Sequence, residues 1–219
     1  MKLLKKLTMM LLAIGMMASV VACGGAGEGG EESSTETSQT SEVKEVGQNL
    51  TETEFEAAVQ MLYSQTNLTL TVTGEEKSDV KMTYSGTMSF ADGKTYQEMV
   101  SVVDGVTSTE YLYMGVVDGT TYVWMSSDKT VWDYFPADDM TASPRSYLEE
   151  VFTWCGFDYC KFNSKTEMME FTGLGAPSVN VKVVDNKIVE FRYEDIDGNW
   201  YSATITYGGA VIGELPALD

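Results

Sequence analysis

Two neighbouring stretches of the chain alternate between apolar and polar residues. In NLTLTVTG, Leu68, Leu70 and Val72 occupy one phase and threonines occupy the other. DVKMTYSGTMSF continues this pattern, with one phase made up of Val80, Met82, Tyr84, Gly86, Met88 and Phe90. A period of two is typical of a β-strand with one buried face, so both stretches are predicted to be strands. Gly86 lies in the buried phase, where it permits a bend or the close approach of a helix.

Tight-turn dipeptides recur along the rest of the chain. They are Asp92-Gly93, Asp104-Gly105, Asp118-Gly119, Ser127-Asp128, Asp185-Asn186 and Asp197-Gly198. Pairs of this kind favour short hairpin loops. The runs between them are rich in β-branched and aromatic residues, for example TEYLYMGVV, TTYVWMSS and WYSATITY. This pattern predicts nine or ten consecutive strands in an antiparallel meander.

Two stretches have helical spacing instead. Thr51 and Glu54 are placed as a capping box, which marks the start of a helix. The apolar residues that follow recur at i, i+3, i+4 and i+7: Phe55, Ala58, Val59 and Leu62. A second helix is predicted in SPRSYLEEVFTW, where Ser143 is a candidate N-cap and Pro144 takes the first helical position. The expected order is one helix, about six strands, one short helix and about four strands.

The N-terminus has the layout of a secretory signal. Lys2, Lys5 and Lys6 form a basic region, residues 7–17 are apolar, and residues 18–22 are small or β-branched. The apolar part is shorter than the 20 or so residues that a membrane-spanning helix needs. Residues 20–23, Val-Val-Ala-Cys, resemble the lipobox of bacterial lipoproteins. The resemblance implies a signal peptide at 1–22 and a diacylglyceryl group on Cys23, which would anchor the protein to the membrane.

Residues 23–48 have a composition unlike that of a folded domain. They are rich in Gly, Glu, Ser and Thr and contain no aromatic residue. Such a segment cannot bury enough apolar surface to offset the entropy of ordering, so we expect a disordered, lipidated tether. The folded domain is predicted to span residues 49–219.

The order of elements resembles the LolA-like superfamily of lipoprotein and lipid carriers. The resemblance covers nearly all of 49–219 and rests on the lipobox, the leading helix TEFEAAVQML, the meander and a final strand YSATITYGGAVIGELP. It implies a mainly β fold with α elements, in which a curved antiparallel sheet forms a half-barrel and the two helices lie on its concave side. It transfers no functional residue to a numbered position.

A half-barrel would bring one set of apolar residues together around a cavity. On the strands these are Leu70, Val72, Met82, Tyr84, Met88, Phe90, Leu112 and Met114. Phe55, Val59 and Leu62 of the first helix should face them. The same residues would also suit a fully packed core, and burial energies of 20–33 cal/mol per Å² do not separate the two.

Charge and composition exclude several functions. The chain has 33 acidic and 14 basic residues, and loss of residues 1–22 would take its net charge from −19 to −22. A field of that sign repels nucleic acid, so no nucleic-acid partner is expected. The chain has no histidine, and neither a catalytic triad nor a phosphate-binding loop is present. We therefore expect no enzymatic activity, no cofactor and no metal site.

Cys155 and Cys160 are the two cysteines that remain after Cys23. An extracytoplasmic location on the cell membrane permits a disulfide between them, worth about 2 kcal/mol in the chain-entropy model. Two free thiols are the alternative. Two cysteines without histidine do not make a usual zinc site.

Two functional classes remain compatible with the sequence. The first is a binding protein that holds a lipid or another apolar ligand in the half-barrel cavity. The second is an interaction module that recognises a cell-envelope protein or a cell-wall glycan through exposed aromatic strands. For the second class the candidates are Tyr111 and Tyr113, which fall on the face opposite Leu112, Met114 and Val116.

The lipid anchor gives a direct prediction. Cys23→Ser removes the sulfur that would carry the diacylglyceryl group, and two acyl chains are what makes membrane binding stable. We expect the variant to move from the membrane fraction to the soluble extracytoplasmic fraction. The measurement is fractionation followed by immunoblotting, with Cys155→Ser as the matched control. Continued sedimentation of Cys23→Ser with membranes would contradict the lipoprotein assignment.

Overall fold

The alternating stretch at residues 68–72 becomes the middle strand of a large sheet. The structure, a computed structural model, describes residues 50–77, 80–173 and 175–218. These residues belong to one compact unit, Glu45–Asp219. Within these ranges the fold is mainly β, with an open antiparallel sheet of 11 strands and two α-helices.

The elements follow one another in a simple order. The first part holds α1 (Glu52–Tyr63), β1 (Leu68–Lys77), β2 (Lys81–Ala91), β3 (Lys94–Val103), β4 (Val106–Val117), β5 (Thr120–Ser126) and β6 (Asp133–Pro136). The second part holds α2 (Pro144–Thr153), a 3-10 turn (Phe157–Tyr159), β7 (Cys160–Asn163), β8 (Met168–Thr172), β9 (Ser178–Val184), β10 (Lys187–Glu194) and β11 (Trp200–Tyr207).

The sheet order is β6-β5-β4-β3-β2-β1-β11-β10-β9-β8-β7. Every neighbouring pair is consecutive along the chain except β1 and β11, whose register places Leu70 opposite Ile205 and Val72 opposite Ala203. The β1–β11 pair therefore joins two meanders, β1–β6 and β7–β11, into one sheet.

The hairpin predictions are confirmed at four turns. Asp92-Gly93, Asp104-Gly105, Asp118-Gly119 and Asp185-Asn186 each form the two-residue loop of a hairpin, and both residues of each pair have positive φ. This is the backbone of a type I′ turn, whose twist matches that of the flanking strands.

Both helices begin where the caps predict. The Thr51 hydroxyl accepts from the Glu54 amide at 3.2 Å, and the Glu54 carboxylate accepts from the Thr51 amide at 2.8 Å. In α2, Ser143 caps the helix through the amide of Ser146. The buried side of α1 consists of Phe55, Ala58, Val59 and Leu62, as the spacing predicts.

The helices pack on one face of the sheet, which we call the helix face. Residues directly opposite each other in an antiparallel pair share a face, and this face carries the row Leu68, Phe90, Thr95, Met114 and Val123. Three ring contacts join the helices to it. They are Phe55–Phe171 at 5.1 Å, Phe90–Tyr147 at 5.5 Å and Phe152–Phe191 at 5.6 Å between centroids.

The second half of the chain differs from the prediction. Five strands follow α2 instead of about four, because β7 and β8 are only four and five residues long and give a weak signal in the sequence. The final strand ends at Tyr207, before GGAVIGELP. Gly208 and Gly209 have φ of 75° and 76°, so the backbone turns away from the sheet there.

Gly86 permits the close approach of the neighbouring strand β3, whereas the sequence predicted a bend or the approach of a helix. A Cβ at this position would clash with the carbonyl oxygen of Glu98 and lie 2.6 Å from Sδ of Met99, both on β3. A Cβ at Gly86 would thus meet backbone atoms of β3, which cannot move as freely as the tip of a side chain.

Gly86→Ala should consequently lower the free energy of unfolding by about 1–3 kcal/mol through overpacking. Urea denaturation followed by tryptophan fluorescence measures the change. Ser85→Ala is the matched control, since Ser85 is the exposed neighbour on the same strand, and it should change stability by less than about 0.5 kcal/mol. Equal stability of the two variants would show that β2 and β3 are not in such close contact.

Candidate functional site

The strand residues predicted to line a cavity share the helix face. Leu70 lies opposite Met88, and the same register carries across β3 to Leu112. Eight members of the predicted set are buried: Phe55, Val59, Leu62, Leu70, Val72, Met88, Phe90 and Met114. Met82, Tyr84 and Leu112 are only partly buried. The set thus divides into a packed part and an open part.

Helix side chains fill the packed part. Leu62 of α1 is 0% exposed, and Tyr147 of α2 lies against Phe90. Thr95, which lies opposite Phe90 in the register, is also fully buried. Burial also raises the pKa of the Tyr147 hydroxyl. This region has the character of a protein core.

The open part lies on strands β2 to β6. Met82 is paired with Val103, and Leu112 is paired with Met125, all on the helix face and all partly exposed. Phe135 of the edge strand β6 is 37% exposed. We call these side chains the open strip: Met82, Tyr84, Val103, Leu112, Met125 and Phe135.

Polar groups interrupt the open strip. Gln97 stands between Met88 and Leu112 in the cross-strand register, and Glu110 stands opposite Met99. Burial raises the pKa of the Glu110 carboxyl above its usual range. No hydrogen bond or ion pair joins Glu110 to another residue of the described ranges. A ligand on this strip would meet apolar side chains together with a carboxyl and an amide.

A row of tyrosines crosses the same face at one end of the strip. Tyr84, Gly74, Tyr201 and Tyr193 are opposite one another on β2, β1, β11 and β10. The ring of Tyr84 lies over Gly74, where a Cβ would clash with it. Burial raises the pKa of Tyr84 and of Tyr193 to about 12.

A groove of about 460 Å³ lies between the two helices. Its floor includes Phe55, Tyr63 and Phe152, and its rim includes Glu56 and Arg145. Arg145 is paired with Glu149 at 2.7 Å and lies over the Tyr63 ring at 5.7 Å. Apart from the helix residues Phe55 and Val59, it has no lining residue from the predicted cavity.

The other face of the sheet carries a group of aromatic side chains. As predicted, Tyr111 and Tyr113 are on the face opposite Leu112 and Met114. The Tyr113 ring lies 4.7 Å from Tyr96 and 5.2 Å from Trp132 between centroids. We call Tyr96, Tyr111, Tyr113 and Trp132 the aromatic face. Lys129 is 4.2 Å from the Tyr111 centroid and 3.0 Å from a carboxylate oxygen of Glu98.

The last residues of the chain, 210–218, cross this aromatic face, and we call them the C-terminal segment. Residues 214, 216 and 217 form a groove of about 560 Å³ with Tyr113 and residues 129–132. The resemblance to LolA-like carriers included GGAVIGELP in the final strand, and the structure corrects this. The paired glycines and Pro216 are the signals in the sequence that would have identified a separate segment.

The two cysteines stand near each other after α2, and no disulfide joins them in the structure. Burial and the neighbouring Cys160 raise the pKa of the Cys155 thiol. The pairing stays a prediction.

Other predictions lie outside the described residues, namely the signal peptide 1–22, Cys23 and the tether 23–48. No helix in the described ranges is long and apolar enough to cross a membrane. Within the same ranges, no three acidic or cysteine side chains converge as metal ligands would.

In the exported protein we expect Cys155 and Cys160 to be oxidised to a disulfide. Alkylation before and after reduction, followed by intact mass measurement, should label the pair only after reduction. Cys155→Ser and Cys160→Ser each remove one partner and should each expose one thiol to alkylation under denaturing conditions. Two labelled thiols in denatured, unreduced wild-type protein would refute the bond.

Comparison with known proteins adds no assignment. No protein-family model matches the sequence, and no curated protein matches it. The resemblance to LolA-like carriers therefore stays a prediction from the order of elements. A function has to be argued from the side chains described above.

Proposed function

We propose that the protein is an extracytoplasmic lipoprotein, anchored to the bacterial cell membrane through Cys23, that binds a lipid or another apolar ligand without catalysing a reaction. The binding surface is the open strip on the helix face of β2–β6. In a half-barrel this surface lies on the concave side, beside the two helices.

One observation carries the proposal. Eight of the predicted cavity residues are buried, whereas Met82, Tyr84 and Leu112 on the same face stay partly exposed. The ring contacts of the helices fall on β2, β8 and β10 and leave Leu112 and Met125 of β4 and β5 outside them. A group of exposed apolar side chains usually marks an interaction surface, because removing apolar surface from water is favourable.

The residues of the strip favour an adaptable site. Met82 and Met125 have flexible, polarizable side chains that fit apolar groups of varied shape. Glu110 and Gln97 add a carboxyl and an amide, which suit a ligand with a polar part. The strongly negative protein repels anionic groups. An amphiphile with a neutral or cationic polar part therefore fits best.

The proposal that the protein is not an enzyme rests on the whole sequence. The chain contains no histidine, the residue most often used as a general base. Its function would depend on holding a ligand near the membrane, at a reach set by the tether 23–48.

A second candidate function is an interaction module, supported by the aromatic face. Tyr96, Tyr113 and Trp132 form a continuous series of ring contacts beside a groove of about 560 Å³. Rings of this kind recognise protein segments or sugars, so a cell-envelope protein or glycan is the partner in this alternative.

Leu112→Trp tests the apolar-ligand proposal. The larger side chain should occupy the open strip and lower the ligand-bound fraction at least fivefold, with a stability change below about 0.5 kcal/mol because Leu112 is partly exposed. Native mass spectrometry of protein purified from a lipid-containing host measures the bound fraction. Urea denaturation measures the stability.

Two control variants separate ligand binding from packing. Tyr111→Trp changes the adjacent residue on the opposite face and should leave the bound fraction unchanged. Met88→Trp changes a residue that is 3% exposed and should cost about 1–3 kcal/mol through overpacking. Recovery of only ligand-free wild-type protein, or equal ligand occupancy in Leu112→Trp, would overturn the proposal.

A further inference from the structure

Three tyrosines and one carboxylate are grouped where the row of tyrosines passes α2. The tyrosines are Tyr84 on β2, Tyr201 on β11 and Tyr193 on β10. The carboxylate belongs to Glu150 of α2. We call these four side chains the tyrosine cluster. Tyr84 is also a member of the open strip, so the cluster lies at one end of the proposed binding surface.

Gly74 makes it possible for Tyr84 to reach Tyr201. The two tyrosines are separated by β1, and Gly74 is the β1 residue that is paired with both. A Cβ at Gly74 would clash with Cζ and Oη of Tyr84, so the end of this side chain lies directly over the glycine. The Tyr84 hydroxyl is thereby brought over β1, beside Tyr201.

Ring contacts bring α2 to the same place. Phe152 of α2 lies 5.6 Å from Phe191, and Phe191 lies 5.9 Å from Tyr201 between centroids. Tyr201 is in turn 5.3 Å from Tyr193. Burial raises the pKa of the Tyr201 hydroxyl, and the other three members of the cluster raise it further. The Glu150 carboxylate and the three hydroxyls therefore lie within electrostatic reach of one another.

The oxygen atoms of the cluster lack partners in the described part of the chain. No hydrogen bond or ion pair there reaches Glu150 or any of the three tyrosine hydroxyls. Tyr193 is only 6% exposed. Burial raises the pKa of the Glu150 carboxyl above its usual range. A carboxylate that is partly removed from water without a partner is unfavourable, so a bound cation would stabilise it.

Nearby basic residues are paired elsewhere. Arg192 precedes Tyr193, but its guanidinium lies on the other face of the sheet, 4.1 Å from the centroid of the Trp200 ring. Arg145 of α2 is paired with Glu149 at 2.7 Å. Among the described residues, no basic group lowers the pKa of any member of the cluster. The cluster is thus a negative site without a counterion in these ranges.

A primary ammonium group is the chemical complement of this cluster. It has three hydrogen-bond donors and no acceptor, whereas hydroxyl oxygens and a carboxylate are acceptors. Hydrogen bonds between ionised partners are stronger than those between neutral groups. Because the Tyr193 and Tyr201 rings pack against each other, a cation with N–H donors fits better than a quaternary ammonium, which binds the open faces of rings.

We propose that the tyrosine cluster binds the primary ammonium group of an alkylamine, with the Glu150 carboxylate as its counterion and the tyrosine hydroxyls as hydrogen-bond acceptors. The ammonium site stands on the cluster alone. Placing the alkyl chain along the open strip, through the shared Tyr84, rests on the proposed function. A small amine in solution and the head group of a lipid both present this chemistry.

The test measures binding of octylammonium and 1-octanol, which have the same tail, to the full-length protein by isothermal titration calorimetry. Octylammonium should bind wild type at least tenfold more tightly than 1-octanol. Glu150→Gln keeps the shape of the side chain and removes its charge, so it should reduce this ratio below threefold without changing the affinity for 1-octanol. Tyr201→Phe keeps the ring and removes one hydroxyl, and it should weaken octylammonium binding at least threefold. Circular dichroism checks that both variants stay folded.

Glu149→Gln is the matched control. Glu149 is the neighbouring carboxylate on α2, but it is exposed and paired with Arg145. The variant should retain the wild-type ratio, which separates a specific site from the general attraction of a cation to an acidic protein. The same ratio in Glu150→Gln as in wild type, or its loss in Glu110→Gln instead, would overturn the proposal.

Butylammonium distinguishes this proposal from the proposed function, since its chain is too short to cover the open strip. Weak butylammonium binding, with octylammonium binding that Leu112→Trp reduces at least fivefold, supports an amine-bearing lipid. Equal affinity for both amines that is lost in Glu150→Gln supports a small free amine and counts against an apolar ligand on the strip. Binding of 1-octanol as tight as that of octylammonium would keep the apolar ligand and overturn the ammonium site. Failure of either amine to bind would overturn it as well.

Discussion

The pairing of β1 with β11 is the constraint on which the rest of the structure depends. It joins residues 68–75 to residues 200–207, near the two ends of the folded domain. Without it the chain would form two separate meanders, each with another unpaired edge. Because the register is set at Leu70–Ile205 and Val72–Ala203, it also decides that the apolar phases of both meanders fall on one face.

The two helices pack on that shared face. Their aromatic side chains reach β2, β8 and β10, so they bridge the two meanders across the β1–β11 junction. The helices are short, at 12 and 10 residues, whereas the sheet has 11 strands. Cover is therefore incomplete, and the open strip follows from this difference in size.

The opposite face is covered in a different way. The C-terminal segment reaches it because β11 ends beside β1 and the glycine pair turns the backbone over the edge of the strand. Asn67 and Lys94 hold it by hydrogen bonds, and the tip of the Leu215 side chain lies against Gly115. The two surfaces proposed to bind are thus on opposite sides of β4, with Leu112 on one and Tyr113 with Gly115 on the other. They can be altered independently.

The sequence by itself determined the features that depend on near neighbours. The period of two at Leu68–Val72, the Asp-Gly turns and the Thr51 cap each act over a few residues, so their structures follow from local pattern. The number of strands after α2 was predicted about one too low, because β7 and β8 are only four and five residues long and carry too little periodicity. Only the tertiary structure decided that Met88 is buried while Leu112 stays partly exposed, since both have the same phase and the ring contacts of the helices fall on β2 and not on β4. It likewise decided that VIGELP leaves the sheet, because Gly115, against which Leu215 lies, is 100 positions earlier in the chain.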